Sequence, residues 1–178
     1  MDNSGKSQVL IPRNLYELEQ EADIHVNSEG LSPVEISWDK GFVSNIKSIN
    51  EEKNFINKIL FPRFVESHAH FDKSFSWINY PNLKSNYENA LSVNLEEHVT
   101  RTANTVLKRA EKSLNLAIKN GYRAIRTHID TYNFQDREIW PKLFYLQKTY
   151  SEFLSLQFVA LAQIDFWGTK EGDLLAKN

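Results

Sequence analysis

The sequence predicts an α/β fold: a parallel sheet with helical crossovers, preceded by a small β region. Three observations carry that expectation. From about residue 59 onward, strand and helix patterns alternate in the order β, α, β, α, β, which implies parallel strands joined by right-handed crossovers. Residues 1 to about 60 are instead polar, with short alternating apolar pieces. The last apolar run, Leu156 to Ala162, is nearly continuous, the pattern of a strand buried on both faces. At this level an open doubly wound sheet and a TIM barrel both fit.

The elements follow in order. Val34-Glu35-Ile36-Ser37-Trp38 and Phe42-Val43-Ser44-Asn45-Ile46 alternate apolar and polar residues on either side of Asp39-Lys40-Gly41, as an antiparallel hairpin does. Ile59-Leu60-Phe61 and Phe64-Val65 predict a short buried strand running up to the histidines near 68. An irregular, aromatic-rich loop is expected from Ser74 to Val93. Asn94 suits an N-cap, with Glu97 placed three residues later for a capping box. Val99, Ala103, Val106, Ala110, Leu114 and Ala117 then form one apolar stripe. A single helix of about six or seven turns is expected, stopped by Asn120-Gly121. Tyr122 to Ile129 reads as the next strand. A second helix covers Trp140 to Phe153, with Pro141 in its first turn.

Composition bounds the function. The chain has 178 residues, 41% of them hydrophobic, which suffices for a buried core. Its net charge of −2 and scattered Lys and Arg argue against a nucleic-acid partner. The absence of cysteine excludes disulfides, thiolate metal sites and cysteine nucleophiles. Met1 to Gln8 lacks the apolar core of a signal peptide, and the longest purely apolar run, Phe158 to Ala162, is far short of a membrane span. A soluble, cytoplasmic protein without a membrane or nucleic-acid partner is expected. No internal repeat is present, and the six glycines form no phosphate-binding loop.

Three polar features end the three predicted strands. His68-Ala69-His70 comes first. On an extended backbone, residues two apart point to one side, with Cα atoms about 6.5–7 Å apart, so both imidazoles can converge on one divalent ion. Asp72 and Lys73 follow directly, and charge gathered this densely is costlier in a core than at a site. Arg126-Thr127-His128-Ile129-Asp130 occupies the equivalent end of the next strand. Either Arg126 pairs with Asp130 around a core histidine, or His128 is a third ligand; spacing leaves both open. Gln163 stands just past the third strand, where its amide offers a donor and an acceptor to an amide-like ring edge. His25 and His98 read as solvated.

Phe61-Pro62-Arg63-Phe64-Val65-Glu66-Ser67-His68-Ala69-His70-Phe71-Asp72-Lys73 resembles the "P-x-[FL]-V-[DE]-x-H-x-H-x-D" signature of the amidohydrolase superfamily, in the form found in cytosine deaminase and its relatives. Asn120-Gly121 with Arg126-Thr127-His128-Ile129-Asp130 resembles the family's "NG…RTHVD", and Leu156 to Gln163 resembles "LQIVAFPQ". The resemblance covers Phe61 to Gln163; the first sixty residues match loosely, as part of the small β-sandwich flanking the barrel. It implies that His68 and His70 are metal ligands on the first barrel strand, that Gln163 hydrogen-bonds a pyrimidine ring, and that Tyr87 lies near a pocket-lining position. His128 matches a family residue that is not usually a ligand, which leaves His128, Asp130 and Asp72 as candidates for supporting the ligands. The implied reaction is hydrolytic deamination at a ring carbon by a metal-activated water, with a carboxylate moving protons. Ala162 before Gln163, and Ile164-Asp165 after it, depart from the Pro and Glu-Gly usual in cytosine deaminases, which loosens the substrate to a related ring or amide.

The resemblance therefore implies a small β-sandwich segment at 1–58 and an incomplete (β/α) barrel at 59–178, a partial TIM barrel of three strands and two helices. A full barrel uses about 250 residues, and the family draws its remaining His ligands, proton-moving Glu and final Asp from later strands. The expectation is the N-terminal part of a cytosine deaminase-like enzyme, truncated and inactive alone, with zinc or iron weakly bound or absent and a pyrimidine-like small molecule as substrate. The alternative is a non-catalytic subunit whose barrel is completed by a separately encoded chain or an oligomer. A small flavodoxin-like domain with incidental histidines is a third reading.

Overall fold

The computed structural model describes residues 3–17, 24–49, 56–132 and 134–177, which fall into two compact units, Met1–Pro62 and Arg63–Asn178.

The first unit holds an antiparallel sheet in the order β1 (Gly5–Pro12), β2 (Leu31–Asp39), β3 (Phe42–Ser48). The expected hairpin joins β2 to β3. Lys40 and Gly41 both take positive φ, 50° and 82°, the backbone a two-residue turn needs to match strand twist. Val9, Ile11, Val34 and Ile36, at alternate positions of paired strands, form its hydrophobic cluster. A sandwich partner for this sheet is not seen among the described residues. Ile59 does not begin a strand of the second sheet; it bridges Leu10, with the Leu10 N–H donating to Lys58 O and the Leu60 N–H to Leu10 O, both at 2.8 Å.

The second unit carries a parallel sheet in the order β4 (Phe64–Ala69), β5 (Tyr122–Asp130), β6 (Ser155–Leu161). Two helices, α1 (Tyr87–Thr100) and α2 (Ala103–Lys119), connect β4 to β5. One helix, α3 (Ile139–Thr149), connects β5 to β6, and α4 (Lys170–Ala176) follows. The predicted β-α-β-α-β order is present. Its core is Val106, Ala110 and Leu114 of α2 and Leu143 and Leu146 of α3 against Ile125, Ile129 and Leu156 of the sheet.

Three expectations are corrected here. The single long helix is two helices broken at Arg101, whose backbone is extended (φ −67°, ψ 131°). Asn94 lies inside α1 rather than capping it. Asn86 Oδ1 caps α1 by accepting from the Asn89 N–H at 2.8 Å, and Thr102 Oγ1 caps α2 by accepting from the Thr105 N–H at 3.1 Å. The β-branched run Val99-Thr100, then Thr102, lowers helix propensity at the break. The expected loop from Ser74 to Val93 is helical from Tyr87 onward, and Val99 is exposed rather than part of a stripe. Finally, β6 is buried on alternate residues, not on both faces: Leu156 is buried, whereas Val159 and Leu161 are over a third exposed. Among the described residues, the buried side chains of α2 and α3 pack on the face that carries Ile125, Ile129 and Leu156.

Candidate active site

Parallel pairing brings the ends of all three strands to one rim: Ala69 registers with Thr127, and Asp130 with Leu161. The predicted site residues sit at these ends. His68 is exposed, while His70 and His128 are half-buried. The three imidazoles gather. His68 stacks on His128 at 3.9 Å between ring centroids and meets His70 edge-on at 5.0 Å. The Nε2 atoms of His68 and His70 are 3.1 Å apart, and the Nδ1 atoms of His70 and His128 are buried without a hydrogen-bond partner. Burial, then the nearby Lys73 ammonium, holds the His70 pKa below its ordinary value, so the ring is neutral near pH 7. Neutral imidazole is the form that binds a metal.

Beyond the histidines lies a buried ionic cluster that joins the expected Asp72, Lys73 and Asp130 to Glu97, Arg101 and Arg109, which were not expected there. Asp72 and Asp130 are fully buried and Glu97 is nearly so. Arg101, at the break between α1 and α2, reaches all three: Nη1 donates to Asp72 Oδ2 at 3.0 Å and lies 3.4 Å from Asp130 Oδ2, while Nε and Nη2 donate to Glu97 Oε2. Lys73 Nζ donates to both Asp130 oxygens at 2.8 and 2.9 Å. Arg109 donates to Glu97 Oε1 at 2.6 Å and to the Asp72 carbonyl at 3.0 Å. Three carboxylates thus face three cations, the balance that a dry charged cluster requires. The Asp130 N–H donates to Asp72 Oδ2 at 2.9 Å, which ties the β4 and β5 ends directly.

The carboxyls differ. Burial would push Glu97 up, but hydrogen bonds from Arg101 and Arg109 outweigh it and hold Glu97 below its ordinary value. Burial likewise opposes ionisation of Asp130, and the Lys73 hydrogen bond and charge overcome it. In Asp72, burial and then the Asp130 charge prevail over Arg101 and push the pKa up; its Oδ1 is buried with no partner. Tyr132, which accepts from Asn94 Nδ2 at 3.4 Å, is pushed up to about 12 by burial and the Asp130 charge.

Arg126 does not pair with Asp130; its Nε donates to Gln157 Oε1 at 3.0 Å. His98 is not solvated. Its side chain is 12% exposed, lies 3.5 Å from an Asp136 oxygen and packs on the Tyr132 ring. Tyr87 and Gln163, far apart in sequence, line one hollow of about 800 Å³ together with Leu95, His98, Tyr132 and Phe166. Gln163 is exposed and makes no side-chain capping bond to the 3-10 turn it precedes, Ile164–Gly168. The signal for the ionic cluster was present as Glu97 and Arg101 four apart on a helix. Nothing in the spacing, however, places Asp72 and Asp130 against them.

Known proteins resemble this chain in sequence and in fold. The sequence is 29% identical over 147 residues to a pterin deaminase of Rhizobium rhizogenes, covering 79% of this chain and 34% of that protein. In sequence and fold the chain resembles amidohydrolase-superfamily deaminases, over part of those chains. Among solved structures, 5-methylcytosine deaminase of Klebsiella pneumoniae liganded with phosphonocytosine shares the fold at a TM-score of 0.59 and 17% identity, over 88% of this chain and 36% of that one. N-isopropylammelide isopropylaminohydrolase of Burkholderia multivorans does so at 0.53 and 18%, over 95% and 41%. No protein-family model matches the chain. The chain spans about a third of the length of the amidohydrolase relatives it matches first. Among the described residues, no helix is long and apolar enough to cross a membrane, and no three His, Cys, Asp or Glu residues are grouped to hold a metal ion.

Proposed function

We propose that this chain supplies part of a metal-dependent deaminase site that removes an amino group hydrolytically from a nitrogen heterocycle of the pyrimidine or pterin type. The convergence of His68 Nε2 and His70 Nε2 to 3.1 Å carries the reading. Two nitrogens on one tetrahedral ion, each at about 2.0–2.1 Å, sit roughly 3.3 Å apart, so the pair already has ligand spacing. A divalent ion, zinc or iron, held there supplies the Lewis acidity that makes water nucleophilic near neutral pH. His128 stacks on His68 and limits its rotation. Gln163 offers an amide edge to the ring from the hollow, and Tyr87 a flat aromatic wall. Asp72 and Asp130 hold the strand ends that carry the histidines.

Two histidines are a partial ligand set. We assign the remaining ligands and the proton-moving carboxylate to segments outside the third of the relatives that this chain matches, within a barrel of which β4, β5 and β6 are three strands. The exposed apolar residues Val65, Val159 and Leu161 favour this reading, since such positions are covered when a sheet closes. Completion by a separately encoded chain gives the same chemistry in two pieces. The proposal includes a cytoplasmic location and a small-molecule substrate, with neither a nucleic-acid nor a membrane partner; the scattered Lys and Arg support the exclusion of nucleic acid.

The test is zinc titration followed by ammonia release from cytosine and pterin. The chain is expected to bind zinc through His68 and His70 and to release no ammonia alone. Equal zinc binding by a His68→Ala/His70→Ala variant overturns the ligand assignment. Ammonia release by the purified chain alone overturns the partial-site reading. Sequencing the neighbouring DNA for the absent His, Glu and Asp motifs separates the one-chain and two-chain forms.

A further inference from the structure

We propose that Arg101 is a positioning residue: it locks the ends of β4 and β5 together through Asp72 and Asp130, and so sets the mutual geometry of His68, His70 and His128. The inference rests on the reading of His68 and His70 as ligands for its consequence, but not for its geometry.

His70 ends two residues before Asp72, and His128 two residues before Asp130. Past Ala69 the chain leaves the strand, and side-chain contacts hold His70 and the bend after it over β5, with Lys73 on Asp130 and Arg109 on the Asp72 carbonyl at its flanks. The Phe71 N–H donates to Thr127 Oγ1 at 3.0 Å, and the Asp130 N–H donates to Asp72 Oδ2 at 2.9 Å. That same Asp72 oxygen accepts from Arg101 Nη1, which also reaches Asp130 Oδ2. One guanidinium nitrogen therefore sits between two buried carboxylates on neighbouring strands. The other end of the fork is fixed by Glu97, one turn earlier on α1, and the Arg101 side chain is 1% exposed. A rigid planar fork at a helix break is suited to this task, because its donors diverge toward different elements at fixed angles. Without it, the Asp72 carboxylate keeps the Asp130 N–H and loses its cation, while Asp130 keeps Lys73, and the two buried negative charges no longer share a positive group. Repulsion then opens the strand ends, and the rings that stack at 3.9 Å move apart.

A purely structural role makes a different prediction, and charge balance separates the two. Arg101→Met leaves three buried carboxylates against two cations. Adding Glu97→Gln restores equality, and with it folding, but does not restore the tie between Asp72 and Asp130. In the full-length E97Q/R101M chain, imidazole NMR resonances of His68, His70 and His128 are expected to shift while those of His25 stay in place. Zinc affinity is expected to fall about 10- to 100-fold, the range for removing a group that orients metal ligands. Arg101→Lys, which keeps the charge without the fork, serves if the double variant shows no cooperative melt; the same three resonances are expected to shift. Wild-type ring resonances in a folded variant lacking the fork overturn the proposal. Failure of the wild-type chain to bind zinc instead overturns the ligand reading and leaves the ring resonances to decide the role of Arg101.

Discussion

Two clusters of ionisable side chains occupy the same strand ends, and they are built on opposite terms. Asp72, Glu97, Asp130, Lys73, Arg101 and Arg109 are drawn from β4's exit, α1, α2 and β5; they are dry, matched in charge and bonded to one another. His68, His70 and His128 lie two to four residues before those aspartates, are partly open, and leave two buried Nδ1 atoms unsatisfied. Buried charge persists in a fold only when its partners are in place. The imidazoles meet mainly one another and leave buried ring nitrogens unpaired, so their grouping points to a role outside folding. The first cluster holds the second.

Breaking the ionic cluster is expected to have the largest effect. Arg101→Met strands its carboxylate partners and should cost about 3–5 kcal/mol of unfolding free energy in urea melts; a loss under about 1 kcal/mol shows the cluster to be wetter than its burial implies. The histidines should behave conversely. His68→Ala/His70→Ala is expected to change metal-free stability by at most about 1 kcal/mol. It should also abolish a zinc-dependent gain of about 2.7 kcal/mol, measured at a zinc concentration about 100 times Kd.

Acid should act on the ionic cluster with a definite sign. Glu97 and Asp130 have folded pKa values below their unfolded ones, so their stabilisation is present above the unfolded carboxylate value and is lost as pH falls through the folded values. Asp72 has a raised folded pKa, so its contribution is full below the unfolded value and is lost as pH rises through the folded one. The two trends oppose each other. Asp72→Asn removes the opposing one, and the variant should lose stability more steeply than wild type as pH falls from about 7 to 3. Equal slopes in urea midpoints assign Asp72 no titration in that window. The smallest effect is expected at Lys6, whose ion pair with Glu35 is 3.6 Å long and whose side chain is 70% exposed. Lys6→Ala should change stability by less than about 0.5 kcal/mol, which sets the baseline for a solvated pair.

The hairpin at Lys40-Gly41, the stop at Asn120-Gly121 and the strand beginning at Tyr122 were legible because local chemistry decides them: positive φ at Gly41 and Gly121, and apolar alternation beside them. The break at Arg101 was not legible as a stop, since it contains neither Gly nor Pro. The capping Thr102 and the pull of Asp72 and Asp130 on the guanidinium end α1 there. Asn94 and Glu97 fit a local capping motif equally well, and only packing turned both toward Arg101. The exposure of Val159 and Leu161 was likewise hidden, because a continuous apolar run reads the same whether one face of its strand is covered or both.

The sequence by itself determined the β-α-β-α-β order and the placement of histidines at the strand ends, since periodicity and turn residues act over a few positions. It also carried the motifs that resemble amidohydrolase deaminases. Tertiary structure alone decided which carboxylates share Arg101, that His128 stacks on His68, and that Tyr87 and Gln163 share a hollow. Those pairings join residues from 29 to 76 positions apart, apart from the local Glu97–Arg101 contact. Their geometry depends on how strands and helices pack, which no short window of sequence contains.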